Sequence, residues 1–383
     1  MNDARGLRPI LKALIGPLLV TTLAFAAFQI RFHDDMVDFE VYRQAGMRAA
    51  HAEPLYRADD GHYQFKYLPA FALAMTPNAL VDDEGARTLW YAFSVALLVL
   101  LTRWSVRFLP ERRMPFGVLL TVVIVLMAKF YLHELTLGQV NILFGVLLVG
   151  ALGGLDVDLP VAGGVLVALA IFVKPYGVIF VPWLLVSGGR RAIAACLVVM
   201  AIGLLLPAFV YGWSGNIDLL AGWFRTITDS TAPNLVVSDN ISFAGMWAKW
   251  VGAGRAAGML AAGSAAAALA LAAWTWSKRR DIDNPNYLEL AQLLLLVPLI
   301  SPQGWDYVLL LGTPAVALLV DRSQEETPAW RGLAFVALAV MGLSIFDVMG
   351  RALYARFMAT SIVSVCVVVA ALALARLRQQ KLA

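Results

Sequence analysis

The chain has 383 residues, 60% of them apolar and only 15% charged, with a formal net charge of +4 from 30 Lys and Arg against 26 Asp and Glu. Soluble domains carry about 45–50% apolar and about 25% charged residues, so this composition excludes an ordinary soluble enzyme, a disordered chain and a disulfide scaffold. What remains is an all-α polytopic membrane protein; so small a charge excess points to no nucleic-acid partner, and Cys196 and Cys366, far apart inside apolar runs, read as buried thiols.

In chain order, Arg5, Arg8 and Lys12 precede an apolar stretch, 13–30, without a marked small-residue cleavage site, which reads as a first transmembrane helix. A helix needs roughly 20 apolar residues to cross about 30 Å of hydrocarbon. On that basis the spans are 12–30, 87–107, 114–130, 139–155, 160–173, 175–187, 191–212, 254–276, 287–300, 306–320, 331–347 and 355–375, about twelve in one membrane-embedded domain over 1–383, with both termini on one side. The apolar stretch 68–81 is bounded by Pro69 and Pro77 and covers only about 21 Å as a helix, so it is assigned to the outer surface rather than to a span. Lys174-Pro175 interrupts 160–186, and a proline there removes a backbone donor, so this stretch is a hairpin of two short helices. Both choices leave Arg103, Arg107, Arg112, Arg113, Arg190, Arg191, Lys278, Arg279, Arg280, Arg376 and Arg378 on the side of the N-terminal Arg5 and Arg8. By the positive-inside rule that side is cytoplasmic, which puts the protein in the cytoplasmic membrane with both termini inside.

Two long outer segments result, 31–86 and 213–253, while every inner connection is short. Long polar segments gathered on one face present a site there, and His33, His51, His62 and His133 fall on that face too. In the first segment Phe39, Tyr42, Gly46 and Ala49 recur at helical spacing, giving a short amphipathic helix to rest on the membrane surface with Arg43 and Arg48 outward. Asp38 at its start is either an N-cap or a carboxylate placed to act as a general base toward an acceptor hydroxyl. His33, Asp34 and Asp35 do not make a metal site, because neighbours in an extended chain point to opposite sides and no second cluster has ligand spacing. In the second segment Trp223, Phe224, Leu219 and Leu220 with Asp218, Arg225 and Asp229 suit another surface helix, one able to cover a site. No internal repeat, phosphate-cradling glycine loop or nucleotide-binding fold is legible, which disfavours a nucleotide-sugar donor.

Asp38-Phe39-Glu40-Val41-Tyr42, Glu53-Pro54-Leu55-Tyr56 and Phe65-Lys66-Tyr67-Leu68-Pro69-Ala70, followed by Gly138-Gln139-Val140-Asn141, Lys174-Pro175, Asn240-Ile241-Ser242 and Ser301-Pro302-Gln303-Gly304-Trp305-Asp306, resemble in order and spacing the bacterial glycosyltransferase family 87. That family belongs to the GT-C membrane glycosyltransferases and is similar to the polyprenol-phosphate-mannose-dependent mannosyltransferases of lipid glycan synthesis. The resemblance implies a GT-C fold with juxtamembrane helices after the first span. It also implies transfer of mannose or a related hexose or pentose from a polyprenyl-phosphate donor to an outer-face glycan or glycolipid acceptor, generally with inversion and without metal or other cofactor.

Such a reaction asks for a carboxylate to take the hydroxyl proton, cations for the developing phosphate charge and an apolar groove for the lipid. By resemblance Asp38 takes the base role, with Asp35 in reserve. Lys174, an ionisable residue interrupting an apolar hairpin, is the first phosphate ligand, against the alternative of a lysine snorkelling to the interface; Lys66 and Arg43 follow. Gln139 and Asn141 are candidates to bond a sugar or acceptor hydroxyl, or else to fix helix packing. His133, Asn240, Trp305 and Asp306 complete the substrate-binding set, with His133-Glu134 alternatively a loop pair and Trp305 an interface aromatic. Relatives often carry His after the Trp of the Ser-Pro stretch, where this chain has Asp306-Tyr307. A twelve-helix transporter or lipid flippase is the competing reading, since discontinuous helices around Lys174 would suit it too.

Overall fold

The computed structural model describes residues 26, 28–281 and 284–380. The expected first span, 12–30, with its basic flank, falls almost wholly outside them. Among the described residues every regular element is helical, apart from an isolated bridge between Asn240 and Trp305. In lipid no water serves the backbone, so an apolar run satisfies its own N–H and C=O groups by closing into a helix. The α-helices are, in the first half, α1 (Val37–Ala50), α2 (Pro69–Ala74), α3 (Asp83–Arg107), α4 (Phe116–Leu137), α5 (Asn141–Asp156), α6 (Pro160–Val173), α7 (Val181–Leu205) and α8 (Ala208–Asp229). The second half adds α9 (Phe243–Val251), α10 (Arg255–Ser277), α11 (Asn286–Ile300), α12 (Thr313–Asp321), α13 (Pro328–Leu343), α14 (Phe346–Met349), α15 (Arg351–Ala359) and α16 (Ile362–Gln380).

α1 buries Phe39, Tyr42, Ala45, Gly46 and Ala49, the stripe its spacing predicts. The protein itself covers that stripe, however: α2 and the turn Thr76–Leu80 pack beneath it, so α1 does not need the membrane as a partner. The stretch 68–81 is accordingly two short helices rather than a span. Arg43 of α1 pairs with Asp83 at 3.5 Å and Glu40 at 3.8 Å, and Arg48 donates to Asp60 at 2.7 Å. The N-cap position belongs to Met36, which puts Asp38 in the first turn of α1 and removes the capping explanation for it.

Four helical stretches are long and apolar enough to cross a membrane among the described residues, and five if α15 and α16, bent by 55°, count as one. The sequence led us to expect about twelve. Part of the difference lies in α5, α6, α11 and α13, which have 16, 14, 15 and 16 residues and so reach only about 21–24 Å; the expected first span falls almost wholly outside the described residues, and 175–187 and most of 191–212 fall in one counted stretch, Pro175–Leu205. α11 explains how so short a helix is tolerated. Nearly all its residues are buried, as expected of a helix apolar all round, and neighbouring helices rather than lipid set its length. The expected span 306–320 is a tighter 3-10 segment, Asp306–Gly312, leading into α12.

The hairpin at Lys174 is present. α6 ends at Val173, a 3-10 turn runs Pro175–Phe180, and α7 breaks at Gly189 with φ 66° and ψ −161°, a backbone state that needs glycine. Gly164 of α6 lies against Ala192, and Phe172 against Gly203. The second half of α7 therefore runs beside α6 in the same direction, and the chain reverses at 188–190 as expected.

This alternation gathers the chain reversals at two ends. One end is tied by arginines: Asp321 accepts from the backbone N–H groups of Arg113 and Met114, Arg322 donates to the Pro110 carbonyl, Arg279 lies 3.6 Å and Arg378 3.5 Å from Glu289, and Arg376 lies 3.3 Å from Glu326. The other end holds a cavity.

Candidate active site

The cavity has a volume of about 630 Å³. It opens between α1, the C-terminal ends of α4 and α6, the segment Ser301–Trp305 after α11, and α8, whose Trp223, Ile227 and Thr228 form one wall. The indole of Trp223 donates to the Lys66 carbonyl at 3.2 Å, fastening α8 to the first outer segment.

Of the candidate residues, Asp38, Lys66, Lys174, Gln139, His133 and Trp305 line this cavity. Local structure explains why they meet. α4 runs on to Leu137, so His133 and Glu134 stand on a helix and not in the loop the sequence suggested. Gly138, at φ 66°, then closes α4 in the left-handed conformation that suits a glycine C-cap, and its carbonyl accepts from the Trp90 indole at 2.8 Å. That turn delivers Gln139 to the cavity. α5 begins at once, and the wholly buried Glu134 carboxylate caps it by accepting from Ile142 N–H at 3.1 Å and from Asn141 Nδ2 at 2.9 Å.

Gln139 organises the centre. Its Oε1 accepts from the Tyr42 hydroxyl at 2.9 Å and from Lys174 Nζ at 3.3 Å, while its Nε2 donates to the Tyr307 hydroxyl at 3.2 Å. Lys174 Nζ also donates to the Tyr67 hydroxyl at 2.9 Å and lies 4.7 Å from that ring's centre, a cation–π distance. An ammonium has three N–H groups; these two bonds leave one for an anionic ligand. Burial pushes the Lys66 ammonium below the ordinary lysine range, and the Asp38 carboxylate pulls it back up. Burial also drives the Tyr42 and Tyr67 hydroxyls well above the usual tyrosine range, with Asp38 adding to the effect at Tyr67, so both remain neutral hydrogen-bonding groups.

The other candidates stand off the cavity wall. Asp35 lies in the turn before α1, and Arg43 is held by Asp83 and Glu40. Asn141 is buried behind Gln139 and accepts from the Tyr176 hydroxyl at 3.0 Å. Asn240 is buried and donates to the Pro302 carbonyl at 2.9 Å, fixing the segment that carries Trp305. Asp306 is buried behind His133. Among the described residues no three His, Cys, Asp or Glu converge in a way that would hold a metal ion.

Sequence reasoning passed over Tyr42, Tyr176 and Asp239 on the cavity wall and Lys129 behind it. Tyr42 was findable, since it lies four residues after Asp38 and so on the same helical face. Lys129 carried a signal as well: an ionisable residue in an apolar run is expensive and asks for a partner.

A carboxylate, two lysines and neutral hydroxyls around one cavity are suited to deprotonating a hydroxyl and holding a phosphate. Residues 65–302, well over half of the chain, match the family model of Glycosyltransferase family 87. The chain belongs to glycosyltransferase family 87. It is thus a glycosyltransferase, and its apolar helices make it a membrane protein, which favours an enzyme over the transporter or flippase reading. The matched stretch of this family 87 member contains Lys66, His133, Gln139, Lys174 and Asp239 but neither Asp38 nor Trp305, whose placement rests on the geometry. No curated protein and no solved structure gives a significant match.

Proposed function

We propose that this family 87 enzyme transfers a sugar, mannose or a related hexose or pentose, from a polyprenyl-phosphate donor to a glycan or glycolipid acceptor at the outer face of the cytoplasmic membrane, with inversion. The observation that carries the reading is the meeting of Asp38, Lys66 and Lys174 on one cavity. Asp38 takes the proton of the acceptor hydroxyl as its oxygen attacks the anomeric carbon. The bond from that carbon to the phosphate oxygen breaks, its electron pair goes to the phosphate, and polyprenyl phosphate leaves with one more negative charge. Lys174 and Lys66 stabilise that charge, and a phosphate leaving group needs no second carboxylic acid. The arginine-tied end opposite the cavity supports an orientation with both termini cytoplasmic, since Arg and Lys favour that side. Neither a metal ion nor another cofactor enters the scheme.

The test is a donor series. Purified protein reconstituted in liposomes is offered polyprenyl phosphates carrying mannose, other hexoses or pentoses, together with an envelope extract of the producing cells as acceptor. Release of polyprenyl phosphate with at least one of these donors is expected, and none of the corresponding nucleotide sugars is consumed. Turnover of a nucleotide sugar alone would reverse the assignment.

A further inference from the structure

A second group of side chains faces the same cavity, separated from the lysines by Tyr307. The Tyr307 hydroxyl is bound to Gln139, and its ring meets the His133 imidazole edge-on at 5.1 Å between centres. On that side stand His133, Asp239 and Trp305. Behind them, His133 Nδ1 lies 3.2 Å from the Asp306 carboxylate, which is wholly buried. The same carboxylate accepts from the Tyr354 hydroxyl at 3.0 Å and lies 3.4 Å from Lys129 Nζ.

Lys129 supplies the counter-charge that a buried carboxylate requires, so Asp306 does not need a charged imidazole beside it. What Asp306 does for His133 is set the ring. His133 turns Nδ1 toward the carboxylate and also lines the cavity; a neutral ring with its proton on Nδ1 keeps a lone pair on Nε2 for a ligand. Asp239, held at its carbonyl by the Asp306 N–H at 3.0 Å, adds a carboxylate to the same wall. This wall therefore presents two hydrogen-bond acceptors and the indole of Trp305. Two lysines stand near it and neither lines the cavity: Lys129 is buried behind it, and Lys249 donates to the Ser238 and Asn240 carbonyls on either side of Asp239. Such a surface repels a phosphate and accepts hydroxyl protons.

We infer that the wall formed by His133, Asp239 and Trp305 is the acceptor subsite, where His133 Nε2 and the Asp239 carboxylate hold hydroxyls of a neutral, polyhydroxylated sugar on the acceptor, and that Asp306 backed by Lys129 is the positioning pair for His133. The inference rests on the transferase reading above and deepens it by dividing one cavity into a cationic donor side and an acceptor side.

The experiment measures half-saturation separately for the donor and for the acceptor, the latter supplied as an envelope extract of the producing cells, with labelled sugar transfer as the signal. Asp239→Asn and His133→Asn each raise acceptor half-saturation by about tenfold or more, as expected for one lost hydrogen bond to a well-placed group, while donor half-saturation moves less than about threefold. His133→Gln, whose amide oxygen reaches the position of Nε2, recovers most of the loss. Asp306→Asn alone leaves Lys129 without its counter-charge, so it is compared with the Lys129→Met/Asp306→Asn pair, in which both charges go together; the pair shows the same acceptor-selective defect. Unchanged acceptor half-saturation in Asp239→Asn and His133→Asn, or an equal rise for the donor, would overturn the subsite. A wild-type protein that releases no polyprenyl phosphate from any donor would instead overturn the transferase scheme itself.

Discussion

Asp38→Asn protein turns over about 10²–10⁴-fold more slowly than wild type, the usual cost of removing a general base, while donor KM stays within a few-fold. The expectation follows from where Asp38 sits. It stands in the first turn of α1 and on the cavity wall, and the cap position is Met36, so the substitution deletes no helix cap. Losing a carboxylate's interaction with the helix N-terminus costs about 0.3–1 kcal/mol, too little to explain a hundredfold loss of turnover, and Lys66, whose ammonium Asp38 favours, remains on the cavity wall. Asp35→Asn, three residues earlier and off the cavity wall, retains close to wild-type kcat. Thermal melting alongside kcat and KM checks both variants, and near-normal turnover by folded Asp38→Asn protein would remove Asp38 from the base role.

Lys174→Met has the second large effect: donor KM rises and kcat falls by about 10²–10³-fold, the range found when one preorganised charge-stabilising donor is lost. The fold survives the change because both groups that Lys174 serves keep a hydrogen-bond partner: Gln139 Oε1 still accepts from the Tyr42 hydroxyl, and the Tyr67 hydroxyl is left to donate to the Tyr42 oxygen at 2.7 Å. Lys174→Arg preserves the charge but replaces a compact ammonium stacked on Tyr67 with a planar fork, so it restores only part of the activity. Steady-state kinetics with the donor varied distinguishes the cases. Wild-type donor KM and kcat in Lys174→Met would assign that lysine to packing alone.

The features written in local spacing were legible in the sequence. The buried stripe of α1, the break at Lys174-Pro175 and the reversal at 188–190 all follow from periodicity, proline chemistry and charge placement. The features that depend on distant partners were not. α4 runs through His133 and Glu134 because the Glu134 carboxylate caps α5 across the Gly138 turn, and nothing local marks a glutamate for that task. Lys129 meets Asp306 across nearly half of the chain, so the reason for a lysine in an apolar run appears only once the helices pack. α11 has nearly the bounds expected of it, 287–300, and what was not legible is why so short a helix is tolerated: a helix enclosed by protein obeys its neighbours and not the bilayer. Arg43 was drawn toward the phosphate by its position in the first outer segment, whereas Asp83 and Glu40 hold it away from the cavity.

The central claim is that the cavity at the end of α4 and α6 receives the sugar-phosphate part of the donor. Photolabelling tests it most directly: a polyprenyl phosphate carrying a photoreactive sugar is bound to Asp38→Asn protein, irradiated, and the attachment sites are mapped by mass spectrometry. The account predicts labelled peptides containing Lys66-Tyr67, Gln139 and Lys174, suppressed by excess unlabelled donor. Labelling confined to the arginine-tied end near Glu289 and Asp321, or labelling that excess donor does not suppress, would contradict it.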